Sequence, residues 1–144
     1  QMCIRDRTNA FVSGFGYQGT MAIASTVAHD SHHMIVVGTD RVMMAAATNR
    51  LGAIGGGVTV WKDGHEIGVV ELPIAGLMSD RPAAEVAAAA QTILQAMQAC
   101  GCSLNNAFMQ HSLLALVVIP ELRISDLCLV YFTKFEIKDL IEAA

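Results

Sequence analysis

The stretch VTVWKDGHEIGVVEL, Val58 to Leu72, leaves the chain little freedom in how it folds. Two runs rich in β-branched residues flank Lys62-Asp63-Gly64, and Asp-Gly supplies the positive φ angles that a tight hairpin turn demands. Two antiparallel neighbours are fixed by this alone, and the other elements must be arranged around them. Upstream, MAIASTVA (Met21 to Ala28) reads as a strand of small and β-branched residues, and MIVVGT (Met34 to Thr39) as a second. Asp40 follows at an N-cap position, with Val42, Met43, Ala46, Ala47 and Leu51 at helical spacing. Gly52 and then Gly55 to Gly57 end that helix.

Downstream, PIAGLMSDRP crosses to a second helix, with Pro82 in its first turn and Glu85 near its positive end. Val86, Ala90, Ile93, Leu94 and Met97 form its apolar stripe, and Gly101 stops it. NNAFMQHSLLAL predicts a short helix, and LVVIPELRIS an extended segment that Pro120 confines to an edge strand or strand end. The stretch YFTKFEIKDLIEAA has no clear period. The order predicts one α/β (α+β) domain, a single mixed β-sheet covered by two main helices, with the hairpin around Asp63-Gly64. Residues 1–10 share none of this patterning and read as a non-native or disordered leader; the domain runs over 11–135, and 136–144 form a tail.

Composition narrows the function classes. Of the 144 residues 53% are hydrophobic and only 15% charged, against about 25% charged in a typical soluble domain. A chain this apolar is expected to bury one face against another domain or a subunit, which implies a homo-oligomer or a larger assembly. No run reaches the roughly 18 apolar residues of a membrane helix, so no membrane partner is expected. A net charge of -4 without a Lys/Arg cluster argues against nucleic acid, which needs a basic footprint. Cys3, Cys100, Cys102 and Cys128 form no disulfide-like framework, and they read as reduced thiols of a cytoplasmic protein.

The chemistry on offer is concentrated in VAHDSHHMIVV. His29, Asp30, Ser31, His32 and His33 occupy a short connection between the first two strands. Imidazole is a good transition-metal ligand, and a neighbouring carboxylate fixes its tautomer. A nucleophile, its base and an orienting acid must form a directed chain, however, which sequence neighbours rarely do. A metal needs at least three converging ligands, and His65 and His111 stand far along the chain. The residues alone leave three readings open: a polar structural turn, a ligand-contacting loop, or a catalytic centre. The chain carries no H-x-H pair, H-E-x-x-H, nucleophile elbow or paired C-x-x-C, and Gly55 to Gly57 follow a helix instead of leading into one.

The run AIASTVAHDSHHMIVVGTD, followed by NRL, GGG, VxKDG, ELPIAGLMSD and ALVVIPELRISD, resembles the C-terminal domain of bacterial adenine deaminases, members of the amidohydrolase superfamily. The likeness runs in unbroken order from about Phe11 to about Phe135. It departs from the family pattern at His33, where the pattern has HDSHN, at Val117, and at Cys128 and Tyr131. The resemblance implies hydrolysis of adenine to hypoxanthine and ammonia, a step of purine salvage. It also implies a divalent metal of the manganese or iron type, held by a (β/α)-barrel that this sequence lacks. A bound metal lowers the pKa of water enough to make a nucleophile near neutral pH. By resemblance the chain is the trailing domain of a larger enzyme, inactive alone and binding no cofactor itself. Its partners would be the missing barrel and, through the full enzyme, adenine. His29, Asp30, Ser31 and His32 would lie near the barrel mouth, touching substrate or the metal's ligands. The alternative is a purely structural or oligomerisation module.

Overall fold

A computed structural model describes residues 7–28, 32–125 and 127–139 of the chain. Strands β1 (Met21–Ser25) and β2 (Ile35–Gly38) lead into helix α1 (Arg41–Ile54), then the hairpin β3 (Gly57–Lys62) and β4 (His65–Glu71), then helix α2 (Ala83–Ala99). A short helix α3 (Ala107–Ser112) runs into a 3-10 turn over Leu113–Ala115. Strands β5 (Leu122–Ile124), β6 (Leu129–Tyr131) and β7 (Glu136–Lys138) complete the described chain. The main sheet has the order β2-β1-β3-β4, and β5-β6-β7 form a second, smaller sheet.

The expected α+β domain is therefore present, and every pairing within it is antiparallel. β1 is inserted between β2 and β3, so β2-α1-β3 is a split β-α-β unit whose helix crosses one face of the sheet. α2 covers the other face. This explains β1, where all five residues are buried although they do not alternate between polar and apolar. Its small side chains, Ala22 and Ala24, meet Met43, Ala47 and Leu51 of α1. Its large ones, Met21 and Ile23, join Ile93, Ala96 and Met97 of α2. Gly68 on β4 lets α2 approach, because a Cβ there would stand 3.2 Å from that of Ala96.

Local signals explain the element ends. The Asp40 carboxylate accepts from the Val42 and Met43 amides at 2.9 and 3.0 Å, capping α1. Gly52 continues that helix, which ends at Gly55 with φ +82°. Asp63 and Gly64 have φ +48° and +88°, as a type I′ turn requires. Lys62 Nζ donates to the Ala99 carbonyl at 2.7 Å, placing a cation at the negative end of α2. Pro82 stands at the N-cap of α2, one place outside the expected first turn.

The helical faces differ in detail from those expected. Val42 is 68% exposed, and the buried positions of α1 are Met43, Ala47 and Leu51. Ala90 is exposed and Leu94 only partly covered; Val86, Ala89, Ile93, Ala96, Met97 and Cys100 form the face that meets the sheet. Alanine fits either side of such a helix, so apolar spacing alone does not fix its rotation. Pro120 precedes the edge strand β5, which pairs with β6, and the segment without a clear period supplies β7 on the other side of β6. Arg123 donates to the Leu122 and Pro120 carbonyls at 2.7 and 2.6 Å.

Beyond α2 lies a buried group of polar side chains. Phe15 stacks on Tyr17 with 5.4 Å between ring centroids and presents its ring to His111 at 6.2 Å. Burial pushes the Tyr17 hydroxyl well above its ordinary pKa, reinforced by the thiols of Cys102 and Cys100. His111 is fully buried, and neither ring nitrogen has a hydrogen-bond partner among the described residues. Burial lowers its pKa from 6.5 to about 4. The unfolded chain therefore binds a proton more readily than the folded one between those values. Stability from this neutral imidazole is complete above pH 6.5 and is lost as pH falls towards 4, by on the order of 3 kcal/mol. Denaturant titrations at pH 7.5 and pH 4.5 should show this loss in the unaltered protein. A His111→Gln protein should lose less over the same interval, and an equal loss would show that His111 does not set the pH dependence.

Candidate functional site

The polar connection emerges where β1 ends. Ser25 pairs with Ile35, so residues 26–34 form the connection, and this end of the sheet also carries the start of β3 and the end of β4. Both sides of the loop are pinned by packing: Ala28, Ile35 and Ala115 form a small buried cluster joined by Leu114 and Ile124. The Ser25 hydroxyl oxygen accepts from the Val27 amide at 3.0 Å, and the His32 amide donates to the Ala28 carbonyl at 2.8 Å.

His29, Asp30 and Ser31 lie outside the described residues. His32 is described: its backbone has φ +50°, in the left-handed region, and its side chain is exposed. His33 is half-buried. His65 is exposed at the start of β4, at the far end of the sheet, and His111 is buried behind Phe15. The structure brings neither of them to His32. Among the described residues, no three His, Cys, Asp or Glu side chains are grouped so as to hold a metal ion.

A residue that the sequence reading passed over organises the base of the loop. The Thr26 hydroxyl donates to the Gly76 carbonyl at 2.6 Å and accepts from the Gly57 amide at 2.8 Å. The Thr26 amide donates to the Gly57 carbonyl at 2.9 Å. One side chain thus ties together the root of the polar loop, the triple-glycine corner and the segment after β4. The glycines are needed for this closeness, since a Cβ on Gly56, at φ +120°, would run into the Gly76 Cα. Gly55 to Gly57 therefore serve as helix cap and close-packed corner. A Thr26→Val protein should lose about 1–3 kcal/mol, because the Gly57 amide and Gly76 carbonyl lose their partner. Thr26→Ser should retain most of that stability in urea melts; a Ser protein as unstable as the Val protein would mean that the hydroxyl bonds alone do not hold the corner.

Beside this corner, Arg50 of α1 reaches two carboxylates of β4, Glu66 at 3.1 Å and Glu71 at 3.0 Å. The Thr59 hydroxyl donates to Glu66 at 2.7 Å, and Arg81 approaches Glu71 at 3.5 Å. These charges cover the part of the sheet that α1 leaves open, which accounts for them structurally. Two surface clefts lie near these elements and the second sheet. One of about 190 Å³ runs along Glu71, Arg81 and Glu85, and another of about 500 Å³ lies against Leu122, Tyr131 and Lys138. The polar loop thus leaves a well-braced sheet end, and of its described residues His32 and Met34 are exposed.

Residues 4–136 match the family described as the adenine deaminase C-terminal domain. The chain belongs to that family. It is 75% identical over 135 residues to an adenine deaminase of Ruegeria pomeroyi, covering 94% of this chain and 22% of that protein. It is 77% identical to one of Paracoccus denitrificans over 133 residues, covering 92% of this chain and 22% of that protein. The likeness persists at 48% identity to one of Moorella thermoacetica, over 91% of this chain and 22% of that protein. The chain therefore spans about a fifth of the length of these curated relatives. The family that the motifs from AIASTVAHDSHH to ALVVIPELRISD suggest is the one to which the chain belongs, and its domain is the C-terminal one.

Proposed function

We propose that this domain completes an adenine deaminase that hydrolyses adenine to hypoxanthine and ammonia in purine salvage. The carrying observation is the match to one fifth of proteins named adenine deaminase, with the polar loop rooted at the end of a braced sheet. A divalent metal held by the barrel would supply the activated water. The ligands of that metal are assigned to the barrel by the resemblance to adenine deaminases, with this chain contributing none.

In this reading the chain's own contribution is positional. Ser25, Thr26 and the Ala28–Ile35–Ala115 cluster fix where the loop leaves the sheet. His29, Asp30, Ser31 and His32 then face the barrel mouth, where they hydrogen-bond to the purine or orient a metal ligand from behind. The enzyme is assigned to the cytoplasm, in keeping with free buried thiols at Cys100 and Cys102. No described helix is long and apolar enough to cross a membrane.

A second reading, a structural or oligomerisation module, is favoured by the second sheet, where Phe135 and Ile137 are 85% and 74% exposed. Removing the domain from the full-length enzyme distinguishes the two. Loss of turnover from a barrel that remains soluble and metal-loaded is the expected result. Normal turnover from that truncated enzyme would favour the structural module.

A further inference from the structure

The segment between β4 and α2 contains an exposed apolar feature, at the same end of the sheet as the root of the polar loop. The Ile74 and Met78 backbones pair as an isolated antiparallel bridge, each amide donating to the other's carbonyl at 3.1 Å. The Leu77 amide closes the turn on the Ile74 carbonyl at 3.1 Å. Ala75 and Gly76 have φ +56° and +72°, so a residue with a Cβ is held in the left-handed region. Such a conformation persists where its surroundings over-determine it, and here the Thr26 hydroxyl holds Gly76 from below.

This rigid turn displays apolar side chains instead of hiding them. Ile74 is 45% and Met78 57% exposed, and bridged residues project to the same side. Met34, 41% exposed, stands on the same end of the sheet where β2 begins. Single exposed apolar residues are ordinary; here two are held side by side by a braced turn, and methionine adapts well to a partner's contour.

We infer that the Ile74–Met78 turn is the docking knob by which this domain seats on the N-terminal portion of the same polypeptide, entering an apolar recess beside the active-site mouth. The inference rests on the proposed function and names its contact surface. The occupant follows from length and position. The matched relatives carry most of their length outside this domain, and a C-terminal domain places that remainder ahead of it in the chain. Residues 7–20 join the opposite end of the sheet, where the Gln18 amide donates to the Cys100 carbonyl. A strand of six residues is only about 20 Å long, so a preceding domain tens of ångströms across can reach both ends.

The test uses purified full-length deaminase carrying the photoreactive residue p-benzoylphenylalanine in place of Met78, Ile74, His32 or, as a control on α1, Val42. Crosslinks are mapped by mass spectrometry. Positions 78 and 74 should capture peptides from the N-terminal portion of the same chain, with yields several-fold above that from position 42. Capture of a second copy of this domain would overturn the inference, as would yields at 78 and 74 no higher than the control. Position 32 separates the two levels of failure. If it captures the N-terminal portion while 74 and 78 do not, the docking knob is wrong and the proposed function stands. If all three fail, the placement of this end at the barrel mouth has failed.

Discussion

Replacing Asp30 or His29 by alanine in the full-length enzyme should lower turnover by about 10- to 100-fold, the usual cost of losing a group that orients a metal ligand. The melting temperature should move by no more than a degree or two if these side chains serve turnover and not the scaffold, since substitutions that leave packing and capping untouched are usually within about 0.5 kcal/mol. The contrast matters more than either number. A structural turn would lose stability and turnover together, whereas a loop that reaches the site loses turnover with the scaffold intact. His32 offers an internal comparison, since its side chain is exposed while its amide is engaged with Ala28. Alanine there removes only the imidazole; the backbone bond remains, although φ +50° adds a small strain for a residue less tolerant of that region.

The largest expected effect on stability lies at Gly57. Its φ of +142° is one that residues with a Cβ avoid, and a Cβ there would run into the Val70 carbonyl oxygen. Neither obstacle can relax locally. Val70 is a ladder partner of Val58, and the Gly57 amide and carbonyl are both bonded to Thr26. Gly57→Ala should therefore cost about 4 kcal/mol or more, in the range reserved for severe core lesions. Gly64→Ala serves as the comparison, since the space around its Cβ is open and only its φ of +88° resists; a loss of about 1–2 kcal/mol is expected there. Urea unfolding of the two proteins should rank them in that order. A Gly57→Ala protein within about 1 kcal/mol of the parent would mean that the corner is far more pliable than its packing implies.

Much of the fold is legible in the residues because local chemistry and tertiary packing agree. Asp63-Gly64 specifies its turn, Asp40 caps α1, and Pro120 stands beside an edge strand, each by a mechanism that operates over a few residues. The failures come where the deciding contact is remote. Val42 and Ala90 fit apolar helical spacing yet face outward, because the rotation of each helix is set by the sheet it meets. The insertion of β1 between β2 and β3 is likewise invisible to periodicity, although the uninterrupted burial of MAIAS is its consequence.

The same division applies to the site. The cluster from His29 to His33 is conspicuous in sequence because polar, ionisable residues interrupt two apolar runs. What positions it is not, since the bond from Thr26 to Gly76 joins residues 50 apart. The clue available in sequence was the pairing of a triple glycine with a further glycine in PIAGLMSD, which signals close backbone approach without naming its partner. The tail shows a third case: β5, β6 and β7 are short strands whose pattern is too brief to establish a period.

The most direct measurement is the structure of a complete enzyme of this family with its purine product bound. The expected result places a side-chain nitrogen or oxygen of His29, Asp30, Ser31 or His32 within about 3.2 Å of the purine or of a metal ligand. A loop directed into solvent, more than about 10 Å from both and joined to neither by water, would contradict the central claim and leave the domain a structural module.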